Sequence, residues 1–317
     1  MTKKPLVVLS GPTAVGKSKL SIALAKQIHG EIISCDSMQV YRGMNIGSAK
    51  ITAEEMDQVP HYLIDVLDPT ENFHVALLQT MAKDAMEQIY AHGNIPILVG
   101  GTGFYIQAIL KDIDFSADGK DDNLRDELTS FAKEKGIDAL FDKLREVDLQ
   151  ACESIHPNNV KRVIRALEYY YISGEKISVH NQKESQKQSI YDSKYLVLTN
   201  QREILYQNID KRVNQMMDQG LLDKVRGLYD MGLTQNNISM QGLGYKELLE
   251  YLNGNGTLED AVYKIKRDTR HFAKRQLTWF KREEQVIWID KSEFISEEDI
   301  LSYMLSHLPW KDTITLQ

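Results

Sequence analysis

The stretch GPTAVGKS, residues 11–18, constrains the fold of this chain more than any other part of it. It follows a short apolar run from Pro5 to Ser10. It leads into a segment with Leu20, Leu24 and Ile28 at helical spacing, stopped by Gly30. Buried strand, glycine-bearing loop and helix, in that order, is the context that a phosphate-binding loop requires. Glycines let backbone N–H groups turn inward without a Cβ clash, and the helix N-terminus adds unpaired donors and a positive dipole. Gly11, Pro12, Thr13, Ala14, Val15 and Gly16 form the expected cradle, Lys17 reaches the terminal phosphate, and the Ser18 hydroxyl is the expected ligand of Mg²⁺.

The alternation continues beyond the loop. Apolar runs at 31–37 and 94–101 predict strands, and residues 74–93 and the segment after Gly101 predict helices. Strands alternating with helices imply a parallel sheet with right-handed crossovers. From about Asp114 to Lys194 strand signals vanish and helical patterns take over, until 195–199 and 286–290 restore apolar strands. The reading is an α/β fold: a phosphate-loop-type parallel sheet flanked by helices, formed by 1–113 and 195–317. A mostly helical insertion, 114–194, interrupts it. A chain of 317 residues is long enough for two such domains.

Composition narrows the class. The formal net charge of −7 gives no global sign of a polyanion partner, so any such site must come from local clustering. Two distant cysteines, Cys35 and Cys152, make neither a disulfide framework nor a zinc site, which points to a reducing compartment. The apolar run near the N-terminus is too short for a signal sequence, and no stretch approaches a membrane span. A cytoplasmic location without a membrane partner is expected, and a monomer. The histidines show no metal spacing, and no N-K-x-D guanine signature follows.

Three further features fall where an α/β sheet places its ligands, or cluster charge. Asp36 follows the second predicted strand, where carboxyl ends of strands face the ligand crevice. It is placed to take a proton from a nucleophile or to bind a metal through water, although an Asx turn also explains an Asp there. LVGGTGFY, residues 98–105, opens a helix from a third strand end, with Thr102 as a possible donor; a plain strand–helix turn explains it equally well. Residues 262–282 carry eight Lys and Arg with Asp268 the one acid among them, and Val262, Ile265, Phe272, Ala273, Trp279 and Phe280 on the opposite side. A solvated face is the plain explanation; a second basic group at Lys161, Arg162 and Arg165 favours a phosphate backbone as partner.

Seven blocks, GPTAVGKS, DSMQVYRGMNIGSAK, PHYLID, LVGGTGFY, HPNNVKRVIRALE, GLGYKE and AKRQLTWF, occur in one order between about residues 5 and 290. In that order they resemble the tRNA dimethylallyltransferases, also called tRNA isopentenyltransferases, of bacterial type. The resemblance implies transfer of a dimethylallyl group from dimethylallyl pyrophosphate to N6 of the adenine 3′ of the anticodon in tRNA, with pyrophosphate as leaving group. The loop is of the nucleotide- and ATP-binding type, yet the resemblance gives it a prenyl diphosphate and implies no ATP. It implies Asp36 as general base, and Lys17, Ser18 with Mg²⁺, and Arg212 at the diphosphate. It implies tRNA contacts at Asp36, Ser37, Met38, Gln39, Thr102 and Arg125, and along Lys161, Arg162, Val163, Ile164 and Arg165. GLGYKE is expected to border the tRNA channel. A small-molecule kinase, a non-catalytic RNA-binding protein and a prenyltransferase of free adenine nucleotides remain open on the motifs alone.

Overall fold

The computed structural model describes residues 3–115 and 122–310. The tips of the expected core, 1–2 and 311–317, and residues 116–121 of the expected insertion lie outside them. In chain order the elements are β1 (Pro5–Ser10), α1 (Lys17–Ile28), β2 (Gly30–Ser34), α2 (Ala53–Met56), β3 (His61–Tyr62), α3 (Val75–Ala91), β4 (Ile95–Gly100) and α4 (Gly103–Leu110). Five helices follow: α5 (Asp122–Lys135), α6 (Ile137–Val147), α7 (Ala151–Ser154), α8 (Val160–Ser173) and α9 (Ile177–Gln186). Then come β5 (Asp192–Thr199), α10 (Arg202–Asp218), α11 (Leu221–Asp230), α12 (Tyr245–Leu252), α13 (Leu258–Phe280), β6 (Val286–Asp290) and α14 (Glu297–Ser306).

The six strands form one sheet in the order β3-β2-β4-β1-β5-β6, every pair parallel. β1 is central, so the loop that leaves it stands over the middle of the carboxyl edge. Both faces are covered, as a parallel sheet demands. Along β1, Leu6 and Val8 enter one apolar layer, with α3 and α4, while Val7 and Leu9 enter the other, with α1 and α14. This two-sided burial explains why the strands read as continuous apolar runs rather than alternating ones. β3, two residues long, was not foreseen; it is too short to carry a pattern and exists by pairing with β2 through Ile32 and Ile33.

The chain divides into two compact units, residues 1–110 with 190–317, and residues 111–189. The boundaries differ from those read in the sequence. β5 starts at Asp192 rather than Tyr195, because Asp192, Ser193 and Lys194 pair with Pro5, Leu6 and Val7 although none is apolar. Pairing partners, not hydrophobicity, hold that end of the strand. The second unit is helical with its own core: Leu128 from α5, Leu140, Phe141 and Leu144 from α6, and Val163, Ile164 and Leu167 from α8. Those α8 residues recur at i, i+1 and i+4, one inward stripe of an amphipathic helix.

Candidate active site

The loop does what its glycines permit. Gly11 and Gly16 take φ of 141° and 95°, open to glycine without strain, but Ala14 also sits at φ 62°. A non-glycine there costs roughly 1 kcal/mol, so the surroundings must hold the turn in place. α1 begins at Lys17 with no acidic residue in its first turn, which leaves its N–H groups and dipole to an anion. The Lys17 Nζ donates to the carbonyls of Gly11 at 2.9 Å and Pro12 at 2.8 Å, folding back over the loop.

Asp36 stands across from it. A small pocket of about 60 Å³ is lined by Lys17, Ser18, Ser34, Asp36, Gln39, His61 and Gly100, among others. The carboxylate and the loop therefore share one pocket at the carboxyl edge of the sheet. Asp36 also makes the Asx turn: its Oδ1 accepts from the N–H of Met38 at 2.8 Å and of Gln39 at 3.3 Å. The Asx turn is thus present, made through one carboxylate oxygen of a residue that also lines the pocket. Gln39 is in turn held by the Ser34 hydroxyl at 3.0 Å. Behind the segment, the Lys50 Nζ donates to the Tyr41 carbonyl at 2.6 Å and pairs with Asp65 at 2.5 Å.

The electrostatics tie a third group to these two. Burial, then the charge of Arg212, pushes Lys17 down to about 7, with Asp36 pulling the other way. Arg212, from α10, is itself lowered by burial and raised by Asp36. The fold has brought together residues 17, 36 and 212, two cations and one carboxylate. Arg212 also lines a wider cleft of about 940 Å³ with Gly16, Ser18, Ile51, Lys50 and Lys211. Ser18 and Ile51 border both cavities. The pocket alone admits only water-sized groups, whereas the cleft has the volume of a small-molecule site.

Among the described residues, no group of three or more His, Cys, Asp or Glu side chains could hold a metal. A metal here would rest on the Ser18 hydroxyl, with Asp36 in the same pocket, and take its remaining oxygens from a ligand. That donor set suits Mg²⁺, which keeps waters and binds through one or two protein groups plus phosphate oxygens.

Comparison with known proteins shows the family. The family described as IPP transferase matches residues 39–283. A tRNA dimethylallyltransferase of Lachnoclostridium phytofermentans is 55% identical over 98% of this chain and 99% of its own length. The chain belongs to the tRNA dimethylallyltransferase family. A second relative, the tRNA dimethylallyltransferase of Halalkalibacterium halodurans, is 46% identical over 94% of this chain and 95% of its own. The full-length tRNA isopentenylpyrophosphate transferase of Bacillus halodurans covers 100% of both chains at 43% identity, with a TM-score of 0.72. A eukaryotic dimethylallyltransferase acting on tRNA covers 96% of this chain and 80% of its own at 30% identity, with a TM-score of 0.81. The resemblance read from the seven blocks and the α/β fold are both borne out, and the chain is a transferase. Among the described residues no helix is long and apolar enough to cross a membrane.

Several expected contact residues of this tRNA dimethylallyltransferase family member sit differently from the sequence reading. Val163 and Ile164 are buried in the helical unit, 0% and 6% exposed. Their side chains pack in its core, on the inward stripe that they share with Leu167. Lys161 and Arg162 are exposed and Arg165 half-buried. Arg125, on α5, is bonded to the buried Glu168 carboxylate at 2.8 Å, so its charge holds the helical unit together. Thr102 is half-buried beside Gly101 at the start of α4. Met38 packs against Gly242, and Tyr245, fully buried, packs against Gly47; GLGYKE thus braces the DSMQ segment.

The basic stripe of α13 also divides. Lys264 pairs with Glu250, Arg267 with Asp268, and Arg270 with both carboxylate oxygens of Asp210 at 2.8 and 2.9 Å. The expectation of a single opposing acid fails because α10 and α12 bring two more. Lys274 and Arg275 are exposed in the second half, as are Lys281 and Arg282 just past its end. Phe272 is only half-buried, and the buried row is completed by Ala261 and Gln276 instead. Gln276 is a residue that the sequence reading missed, as it missed His61 in the pocket. Its signal was available: an uncharged polar side chain three residues after Ala273 and four before Phe280, on the apolar stripe.

Proposed function

We propose that this chain transfers a dimethylallyl group from dimethylallyl pyrophosphate to N6 of the adenine 3′ of the anticodon in tRNA, releasing pyrophosphate. The observation that carries the reading is the single pocket that Lys17, Ser18 and Asp36 share. The donor's diphosphate lies at the loop against Lys17 and Arg212, and its prenyl chain extends into the neighbouring cleft. An exocyclic adenine amine is a poor nucleophile, because its lone pair is delocalised into the ring. Asp36 takes the N6 proton as the N6–C1 bond forms and the C1–O bond to pyrophosphate breaks. The loop N–H groups, Lys17 and Arg212 stabilise the charge that grows on the leaving group, in a preorganised field. Mg²⁺, held at Ser18, would neutralise part of that charge when bound.

The adenine must leave its stack to reach a pocket at the edge of a sheet, so the base is flipped. Two cationic groups suit the RNA backbone. On α8, Lys161 and Arg162 occupy the first turn, with no acid there, where the helix dipole disfavours cations; a partner anion explains their placement. On α13, Lys274 and Arg275 are exposed in the second half, with Lys281 and Arg282 exposed just past its end, whereas Lys264 and Arg270 of the first half are paired with Glu250 and Asp210. A small-molecule kinase has no use for either group. The protein is expected to act in the cytoplasm and as a monomer. Incubation with labelled dimethylallyl pyrophosphate and unmodified tRNA, followed by nucleoside analysis, tests the reading. Label in N6-prenyladenosine next to the anticodon supports it. Label in free AMP at an equal rate, or phosphoryl transfer from ATP, overturns it.

A further inference from the structure

Gln276 lies on α13, 6% exposed, between the exposed Lys274 and Arg275 on one side and the phosphate loop on the other. Its side-chain oxygen accepts from the Thr13 N–H at 2.9 Å, and its nitrogen donates to the Gly101 carbonyl at 2.9 Å. The fit depends on Gly101: a Cβ there would lie 2.1 Å from the Gln276 nitrogen. The Thr13 N–H belongs to the same planar peptide group as the Pro12 carbonyl, which accepts from Lys17 at 2.8 Å. Gln276 and Lys17 therefore hold opposite ends of one rigid unit, immediately before the strained Ala14 turn. A displacement of α13 at this point rotates the peptide that seats the Lys17 ammonium.

Resting on the reading of the loop as a diphosphate site and of the exposed α13 cations as an RNA contact, we propose that Gln276 is a positioning residue that couples RNA docking on α13 to diphosphate binding at the loop. Lys274 and Arg275 are its immediate neighbours on one continuous helix; the amide's bond to Gly101 is buried and its bond to Thr13 part-buried, and away from water a hydrogen bond is stronger and its loss more costly. RNA that engages the exposed face fixes the helix, the helix fixes the Pro12–Thr13 peptide through Gln276, and the peptide fixes Lys17. By linkage the effect is reciprocal: RNA tightens the diphosphate and the diphosphate tightens RNA by the same factor.

The test is a titration of inorganic pyrophosphate into the full chain, with and without a saturating unmodified anticodon stem–loop, on wild type, Gln276→Leu and Gly101→Ala. Gly101→Ala pushes the amide away while leaving residue 276 itself unchanged, so it reads the same link if Gln276→Leu does not fold. In wild type, RNA tightens pyrophosphate by about 5-fold or more. Both variants lose that factor, while their RNA affinity without pyrophosphate stays within about twofold of wild type, since no exposed cation has been removed. Absence of coupling in wild type, or a factor retained in a folded variant, overturns the proposal. An RNA or a pyrophosphate that does not bind wild type at all instead defeats the reading on which it rests.

Discussion

Gly100 closes directly on Cys35: a Cβ on the glycine would lie 2.5 Å from the Cys35 carbonyl oxygen. The Cys35 N–H reaches back to the Val99 carbonyl at 2.8 Å, so the ends of β2 and β4 are pinned together one residue before Asp36. The site's width is set by that approach. Gly100→Ala forces the two strand ends apart and swings Asp36 away from Lys17. Overpacking of this kind costs typically 1–3 kcal/mol of stability, and a 1 Å misplacement costs on the order of 100-fold in turnover. Thermal unfolding together with single-turnover prenylation separates the two effects; turnover close to wild type would show that Asp36 is not positioned in this way.

Asp36→Asn preserves the turn and removes the base. An Asn oxygen still accepts from the N–H groups of Met38 and Gln39, so the segment keeps its shape. Turnover is expected to fall by about 10²–10⁴-fold, the usual contribution of a general base, with tRNA and pyrophosphate affinities near those of wild type. Equilibrium binding and single-turnover rates measured on the same preparation check it.

The Lys17 ammonium gives donor binding a pH dependence of defined sign. Burial and Arg212 hold it at about 7 in the free protein, Asp36 opposing. Below that value Lys17 is already charged and meets the diphosphate at no protonation cost. Above it a proton must be taken up on binding, so pyrophosphate affinity falls by up to tenfold per pH unit until Lys17 in the complex titrates in turn. The Kd ratio of Lys17→Met to wild type, which cancels the titration of pyrophosphate itself, is expected to be flat below about 7 and to shrink above it. Arg212→Gln moves the break to higher pH, because it removes a cation that lowers Lys17.

The two halves of α13 are expected to respond differently to loss of charge. Lys274→Ala or Arg275→Ala weakens tRNA binding and lowers the slope of log K against log salt by about one contact's worth each. Arg270→Ala leaves that slope unchanged and lowers the unfolding temperature, because its guanidinium is committed to Asp210. Filter binding across a salt series distinguishes them.

Ile164 tests the correction on α8. Buried in the helical unit, it should cost about 2–5 kcal/mol of that unit's stability on change to Ala. Lys161→Ala, on the exposed side of the same helix, should cost tRNA affinity and little stability. Denaturant unfolding beside binding isotherms reads both.

The sequence by itself determined the elements whose signals are local. The strand–loop–helix around residues 11–18 and the apolar runs of β4 and β6 rest on periodicity and glycine chemistry within a few residues, whereas the inward stripe of α8 was not read from the sequence. The order of the seven blocks determined the family. Tertiary structure alone decided which side chains meet. Thr13 and Gln276 are 263 residues apart and no local pattern pairs them; Gly101 reads as a turn residue until α13 is laid against it. Asp210 and Glu250 pair with cations of a basic stretch, 262–282, whose own sequence offers one acid. The physical reason is the same in each case: a backbone conformation is set by neighbours along the chain, whereas a hydrogen bond, an ion pair or a close approach is set by whichever surface the packed core delivers to it.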